Sequence, residues 1–198
     1  MTKKAMKYML VAQLKIALWF LVSYALLTGI LWAIFYYLVD SDQDLMVISS
    51  NSPKIFLLIM GIVYPLINIE LFLSRGLTRR QFFIAITSVI SIVSIILLLP
   101  LVITNILEGT ITPLSLIIDY LQMPIYFLIG WTAGVGFQFG KWYTSLFSIF
   151  CAVSCIQILK IFSTRIASQP ILLVFQLLIL LAQSMLLLKV IRRVPIKI

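Results

Sequence analysis

The chain alternates long apolar runs with short polar segments. Each run holds about 20 residues, the length that crosses the hydrocarbon core of a bilayer as a helix. The strands of a transmembrane barrel are only about 10 residues long and alternate polar with apolar positions, a pattern that these runs lack. We therefore predict an all-α polytopic membrane protein in which residues 1–198 form one transmembrane domain. The six predicted transmembrane helices span about 16–39, 55–73, 82–107, 116–140, 143–162 and 171–188.

The composition agrees with this pattern. Of the 198 residues, 63% are hydrophobic and 11% are charged. Soluble domains carry about a quarter charged residues, and disordered chains have low hydrophobicity, so the composition excludes both classes. In lipid every backbone polar group needs a partner within the protein, and a helix supplies those partners by itself.

Positive charge is distributed unevenly between the two sides of the predicted bundle. Of the 15 lysines and arginines, only Lys54, Lys160 and Arg165 fall on the side away from the N-terminus. Cytoplasmic loops carry an excess of Lys and Arg, so we predict that both termini are cytoplasmic. The formal net charge of +9 then comes from residues that flank the spans and meet anionic lipid. Membrane lipids are therefore predicted partners, and nucleic acid is not.

The sequence offers little for catalysis or metal binding. It contains no histidine, which excludes histidine-ligated metals and Ser-His pairs. Glu70 is predicted near the inner surface and Asp119 near the outer one, so these carboxylates cannot share one acid–base site. The glycine-rich nucleotide-binding loops GxxxxGK[ST] and GxGxxG do not occur. We predict a non-catalytic protein with no metal and no cofactor on this chain.

Several polar and small residues lie inside the predicted spans, and they have two interpretations. They can form close-packing seams between helices, or they can form a polar path for a substrate. The pairs Gly130/Gly134 and Gly136/Gly140 favour packing because their spacing places small residues on one helix face. The candidates for either role on the third, fifth and sixth spans are Ser91, Ser148, Gln176 and Gln183.

Three charged residues lie within or at the edge of the spans. Glu70 lies within one turn of the inner surface and close to Arg75, and we predict an anchoring ion pair there. Asp119 and Lys160 are predicted at the same outer depth, because each lies roughly 30 Å from the turn at Lys141 at 1.5 Å per residue. We predict a structural salt bridge between Asp119 and Lys160, with an outer gate as the alternative.

The loop between the second and third spans is short, basic and rich in turn signals; we call residues 74–81 the elbow. Gly76 permits a sharp backbone turn, and Thr78 is a suitable N-cap for the next helix. Arg79 and Arg80 are predicted to project into the cytosol. The alternative is that the elbow is only a topology signal, as any six-span protein has. The elbow consists of Ser74, Arg75, Gly76, Leu77, Thr78, Arg79, Arg80 and Gln81.

The elbow resembles the corresponding loop of small permease subunits in bacterial type-2 ABC exporters, especially those of Gram-positive bacteria. The lysine-rich segment Lys3–Lys15 is also similar to the amphipathic connecting segment of that family. One departure concerns the helical hairpin that many members have between spans five and six, because only Ser163–Pro170 is available for it here. The residues that carry the resemblance are Ser74, Gly76, Leu77, Thr78, Arg79, Arg80 and Phe82.

The resemblance implies a function that the composition does not. It implies that the elbow is the coupling loop that docks on a separate cytosolic ATP-binding-cassette subunit, which holds the ATP and Mg²⁺. It also implies a bacterial plasma membrane, a dimer with a second permease copy or a paralogue, and export powered by ATP. Spans with few fixed charges suit a hydrophobic or amphipathic cargo, such as a peptide, a lipid or an antibiotic.

Two other classes stay open at this point. One is the substrate-binding membrane subunit of a vitamin or metal importer, which also has about 200 residues and six spans. Such a subunit would pair with an energising subunit through small residues on its first span. The other is a non-transporting protein, such as a bacteriocin-immunity membrane protein. That protein would need neither a polar path nor an ATPase.

Overall fold

The computed structural model describes residues 2–38, 43–99, 101–102, 112–165 and 168–192. These residues form six long α-helices, each of which contains a segment long and apolar enough to cross a membrane. The prediction of an all-α, six-span, multi-pass membrane protein is thereby confirmed; the orientation of the termini stays a prediction. The helices are α1 (Thr2–Leu38), α2 (Gln43–Ser74), α3 (Arg79–Leu97), α4 (Pro113–Gln138), α5 (Trp142–Arg165) and α6 (Gln169–Ile191).

Several helices begin earlier than predicted. The first helix begins at Thr2 rather than at 16, and the second begins at Gln43 rather than at 55. The prediction placed each helix start after the charged or polar residues. Lysine is a good helix former, so the lysines before residue 16 do not prevent the helix from starting earlier. In α2 the helix also includes the poor helix formers Ser, Asn and Pro at 49–53, so tertiary context overrides propensity there. The lysine-rich segment Lys3–Lys15 is therefore part of α1 rather than an element of its own. Its buried side chains Met9, Gln13 and Ala17 face the bundle, where α1 contacts α2 and α3.

Some sequence predictions lie outside the described residues. These are the ends of the first and third spans, at 39 and 103–107. On the near side of Pro100, α3 ends at Leu97. Among the described residues beyond α3, the Val102 N–H donates to the Leu98 carbonyl at 3.0 Å.

The helix α4 lies at the centre of the bundle, where it contacts α2, α3, α5 and α6. Its side chains Met123, Phe127 and Trp131 are fully buried. The outer helices α1, α5 and α6 instead present many large apolar side chains on the surface, such as Trp19, Phe147 and Met185. A surface of this kind suits contact with lipid, since lipid tails are as apolar as leucine.

The closest helix contact joins α2 to α4 through glycines. A Cβ atom added to Gly130 would overlap the Leu58 carbonyl, and one added to Gly61 would overlap the Phe127 carbonyl. At Gly134 an added Cβ would lie 2.8 Å from the Ile62 carbonyl oxygen. Small residues let helix backbones approach closely in membranes, so the predicted packing role of the Gly130/Gly134 pair is confirmed.

Candidate functional site: the elbow between α2 and α3

The first half of the elbow is a Schellman motif that ends α2. Gly76 has a φ of 84°, which suits glycine because it lacks a Cβ. The Leu77 N–H donates to the Phe72 carbonyl at 3.2 Å, and the Gly76 N–H donates to the Leu73 carbonyl at 3.0 Å. Leu77 and Phe72 are both buried, which provides the apolar contact that accompanies this motif. The predicted turn at Gly76 is confirmed.

The second half of the elbow starts α3 with a capping box. The Gln81 N–H donates to the Thr78 hydroxyl oxygen at 3.2 Å, and the Thr78 N–H donates to the Gln81 side-chain carbonyl at 3.1 Å. Two backbone N–H groups that would lack helical partners are thus satisfied reciprocally. The predicted N-cap at Thr78 is confirmed. The elbow is therefore fixed at both ends by local hydrogen bonds.

Arg79 does not project into the surroundings as predicted. Its guanidinium donates to the carbonyls of Ile191 and Arg192, at 3.1 and 2.7 Å, and so caps the C-terminus of α6. The last carbonyls of a helix lack intrahelical donors and carry partial negative charge, which explains their attraction for a cation. The prediction was wrong because the end of α6 lies 112 residues further along the chain.

Replacing Arg79 with alanine is expected to lower the free energy of unfolding by about 1 kcal/mol, because two carbonyls at the end of α6 lose a charged donor. The matched control is Arg80→Ala, which removes the neighbouring cation from an exposed position. We expect the control to stay within about 0.5 kcal/mol of the parent. Unfolding in detergent, followed by circular dichroism, measures both. Equal losses in the two variants would show that the α6 cap contributes nothing.

The outer surface of the elbow consists of exposed polar side chains at one end of the bundle, the elbow end. Arg75 and Arg80 are both exposed there. The predicted ion pair between Glu70 and Arg75 is absent: within the described residues, Glu70 is exposed and lies in no salt bridge. Exposed ion pairs gain little in water, so nothing holds these two side chains together. Both arginines are therefore available to a partner.

The inner surface of the elbow is anchored on α4 by aromatic rings. The rings of Phe82 and Phe83, which follow the elbow, lie with centroids 6.0 and 5.2 Å from that of Trp131. Phe72, which precedes the elbow, lies 5.9 Å from Phe82. Aromatic pairs at these distances stabilise beyond their buried area. The elbow is thus attached to the central helix as well as to α6, and the sequence analysis did not identify Trp131.

Asp119 pairs with Lys54 rather than with Lys160. The Lys54 Nζ atom lies 3.7 Å from the Asp119 carboxylate, and their side chains are 11% and 23% exposed. The prediction was wrong because it placed Lys54 in a loop, whereas α2 extends past it and packs closely against α4. The one available signal was that Lys54 is predicted at the same end as Asp119. Lys160 is exposed and lines a cavity together with Lys54.

Ser91 and Ser148 act as packing residues. The Ser148 hydroxyl donates to the Ala133 carbonyl at 3.0 Å, which joins α5 to α4. Gly136 lies against this hydroxyl, because an added Cβ at Gly136 would overlap it. The Ser91 hydroxyl donates within α3 to Thr87, and its carbonyl accepts from the Tyr120 hydroxyl at 3.2 Å. Gly140, by contrast, takes a φ of 68° in the turn before α5 and makes no close contact.

The two glutamines of α6 are buried, but the structure does not bring the four candidate residues together. Gln176 is 1% exposed and Gln183 is 8% exposed, and neither side-chain carbonyl accepts a hydrogen bond from a described residue. A cavity of about 420 Å³ at the elbow end is lined mainly by apolar side chains of α4, α5 and α6, and its hydroxyl-bearing residues are Thr132, Tyr143, Thr144 and Ser148. Neither glutamine nor Ser91 lines it. Of the four candidates, only Ser148 lines this cavity, and the polar-path interpretation stays a prediction.

The described ranges contain no group of three His, Cys, Asp or Glu side chains that could hold a metal ion. Compared with protein-family models, with curated proteins and with solved structures, the chain matches none. The geometry of the elbow therefore carries the functional argument.

Proposed function

We propose that the chain is the membrane-spanning permease subunit of an ATP-driven ABC exporter. The observation that carries the proposal is the construction of the elbow: a turn fixed by local hydrogen bonds, exposed outward and attached inward to two other helices. In this proposal the chain lies in a bacterial plasma membrane, pairs with a second permease copy or a paralogue, and binds cytosolic ATP-binding-cassette subunits. These subunits hold ATP and Mg²⁺, so this chain needs no cofactor.

The charge distribution supports a cytosolic elbow. The elbow end carries Arg75, Arg80, Lys141, Lys189 and Arg192 as exposed cations. Cytoplasmic loops are enriched in such residues. The proposal accordingly places both termini in the cytosol, and it presents the elbow to a soluble ATPase.

The elbow can transmit a displacement because it is attached to two different helices, α6 and α4. Docking and closure of the ATPases would displace the turn at Gly76. Arg79 would carry that displacement to the end of α6, and the Phe82 and Phe83 rings would carry it to Trp131 on α4. Packed helices of this kind shift as units, which is the basis of rocking motions between membrane halves.

The cargo is proposed to be hydrophobic or amphipathic. The 420 Å³ cavity at the elbow end is almost wholly apolar, with Phe139, Phe147 and Leu187 among its lining residues. Its size lies within the range of about 300–1,000 Å³ that is typical of ligand sites. Such a cavity would accept an apolar group of a peptide, a lipid or an antibiotic.

The test compares charge reversal on the elbow with charge reversal beside it. A tagged chain is isolated from its host in mild detergent, and ATP-binding-cassette subunits that co-purify are identified by mass spectrometry. The double variant Arg75→Glu/Arg80→Glu should reduce their yield at least about tenfold, since opposite potentials hold such interfaces together. Arg79 is left unchanged because it caps α6. The matched control is Lys141→Glu/Lys189→Glu, which reverses two exposed charges at the same end.

The proposal stands if the parent and the control retain an ATP-binding-cassette subunit and the elbow variant loses it. The absence of any such subunit from the parent would overturn the proposal. Equal retention by the elbow variant and the parent would show that the elbow is only a topology signal. Circular dichroism of each purified chain distinguishes loss of docking from loss of folding.

A further inference from the structure

The opposite end of the bundle, which carries Lys54, Asp119 and Lys160, contains a second cavity of about 400 Å³. Three helices form its walls, and each contributes residues at helical spacing. From α2 come Lys54 and Leu58, from α4 come Gln122 and Tyr126, and from α5 come Ile156 and Lys160. These residues lie three or four positions apart on each helix, so each helix turns one face to the cavity.

The cavity is polar at its rim and apolar at its floor. At the rim, towards the end of the bundle, lie Lys54, Gln122, Lys160 and Ser163. One or two helical turns deeper lie Leu58 and Ile156, with Tyr126 between them on α4. Polarity therefore decreases towards the middle of the membrane, in the same direction as it does along a lipid molecule from its head group to its tails.

The rim carries an excess of positive charge. Lys54 is balanced by the carboxylate of Asp119 at 3.7 Å. Lys160 lies in no salt bridge with a described residue, although its side chain lines the same cavity. Among the described residues at the rim, one lysine is thus balanced and the other is not, which leaves a net charge of +1 at the mouth of a half-open cavity. A ligand group with a single negative charge would balance the charge of this rim.

The cavity is only partly enclosed, and one of its walls lies at the periphery of the bundle. Its α5 wall belongs to a peripheral helix whose only buried side chains are Ala152 and Leu159. Exposed apolar residues such as Ile158 and Ile161 occupy the same stretch of α5.

We propose that this cavity binds an anionic amphiphile, with a phosphate head group at Lys160 and Gln122 and with its apolar chains over Leu58, Ile156 and the exposed surface of α5. The Lys160 ammonium donates to the phosphate oxygens, and the Gln122 amide donates a second hydrogen bond. Lys54 stays paired with Asp119 and sets the far wall of the rim. The site lies at the end away from the elbow, and its occupancy needs no ATPase.

Binding is measured by native mass spectrometry of the purified full chain, titrated with dioleoyl phosphatidylglycerol or with dioleoyl phosphatidylcholine. Glycerol phosphate, added as a competitor, represents the head group alone. We expect one tight equivalent of the anionic lipid and weaker binding of the zwitterionic one. Lys160→Gln should reduce the affinity for the anionic lipid about tenfold, which is the effect expected when one hydrogen bond to a charged group is lost. Lys160→Arg should restore most of the affinity.

The matched control is Arg165→Gln, which removes an exposed cation near the same end of α5 but outside the cavity. It should keep the affinity of the parent within about twofold. A second variant, Ile156→Trp, fills the floor without changing the charge and should also abolish the tight equivalent. Thermal unfolding of each variant identifies any that fails to fold.

Three results would overturn the proposal. Equal weakening by Lys160→Gln and Arg165→Gln would show general attraction to a basic surface. Equal binding of the two lipids would show that the charge of the rim is irrelevant. Full displacement by glycerol phosphate at the lipid's own concentration would show a site for a free anion, with no part for the apolar floor. Failure here leaves the test on the elbow unaffected, because that test measures a different partner at the other end.

Discussion

Replacing Gly130 with alanine is expected to lower the free energy of unfolding by about 3 kcal/mol, at the upper end of the usual cost of overpacking. The added Cβ would overlap the Leu58 carbonyl, and a backbone carbonyl within a helix cannot rotate away as a side chain can. The helices α2 and α4 would have to separate, and α4 is the helix on which four others pack. Reversible unfolding in mixed detergent micelles measures the loss.

Two further alanine variants make this prediction specific. In Gly61→Ala, the added Cβ would overlap the Phe127 carbonyl on the other side of the same helix contact. This variant should therefore lower the free energy of unfolding by a similar amount. Gly29→Ala on α1 has no neighbouring atom within 4 Å of the added Cβ. It should be neutral or stabilising by up to about 1 kcal/mol, because alanine favours a helix over glycine. A loss at Gly29 as large as that at Gly130 would refute the close-contact explanation.

Replacing Asp119 with alanine is expected to cost about 2 kcal/mol, because it leaves Lys54 without its counter-ion in a largely buried position. The figure is below that of a fully buried pair, since both side chains keep some contact with solvent. Replacing Lys54 with methionine should lower the free energy of unfolding by less. The Asp119 carboxylate that is left unpaired is 23% exposed and stays better hydrated than the Lys54 ammonium, whose side chain is 11% exposed. The same unfolding titration gives both values.

The double variant Lys54→Met/Asp119→Leu removes both charges, so it distinguishes the contribution of the ion pair from the cost of leaving one charge unpaired. Apolar residues of similar volume often replace an ion pair at little cost, so the double variant should recover at least half of the loss caused by Asp119→Ala. Lys160→Met is the control, because Lys160 lies near the pair without joining it. If Lys160→Met is as destabilising as Asp119→Ala, Lys160 rather than Lys54 is the effective partner.

The elbow shows which parts of a site are readable from sequence. Gly76 and Thr78 were predicted correctly because their roles depend on residues at most five positions away, through backbone turns and caps. Arg79 was predicted incorrectly because its acceptors belong to the end of α6. Asp119 was assigned to the wrong lysine for the same reason, since the choice between Lys54 and Lys160 depends on which helix lies beside α4.

The sequence by itself determined that six apolar helices span a membrane and that a rigid turn separates the second from the third. These properties follow from hydrophobic length and local hydrogen bonds. Only the tertiary structure decided that α4 is central, that α2 meets it through Gly61 and Gly130, and that Lys54 pairs with Asp119. The physical reason is that lipid is as apolar as the helix surfaces themselves. Hydrophobicity therefore selects the spans but not their neighbours, which are chosen by the shape of small residues and the positions of a few charges.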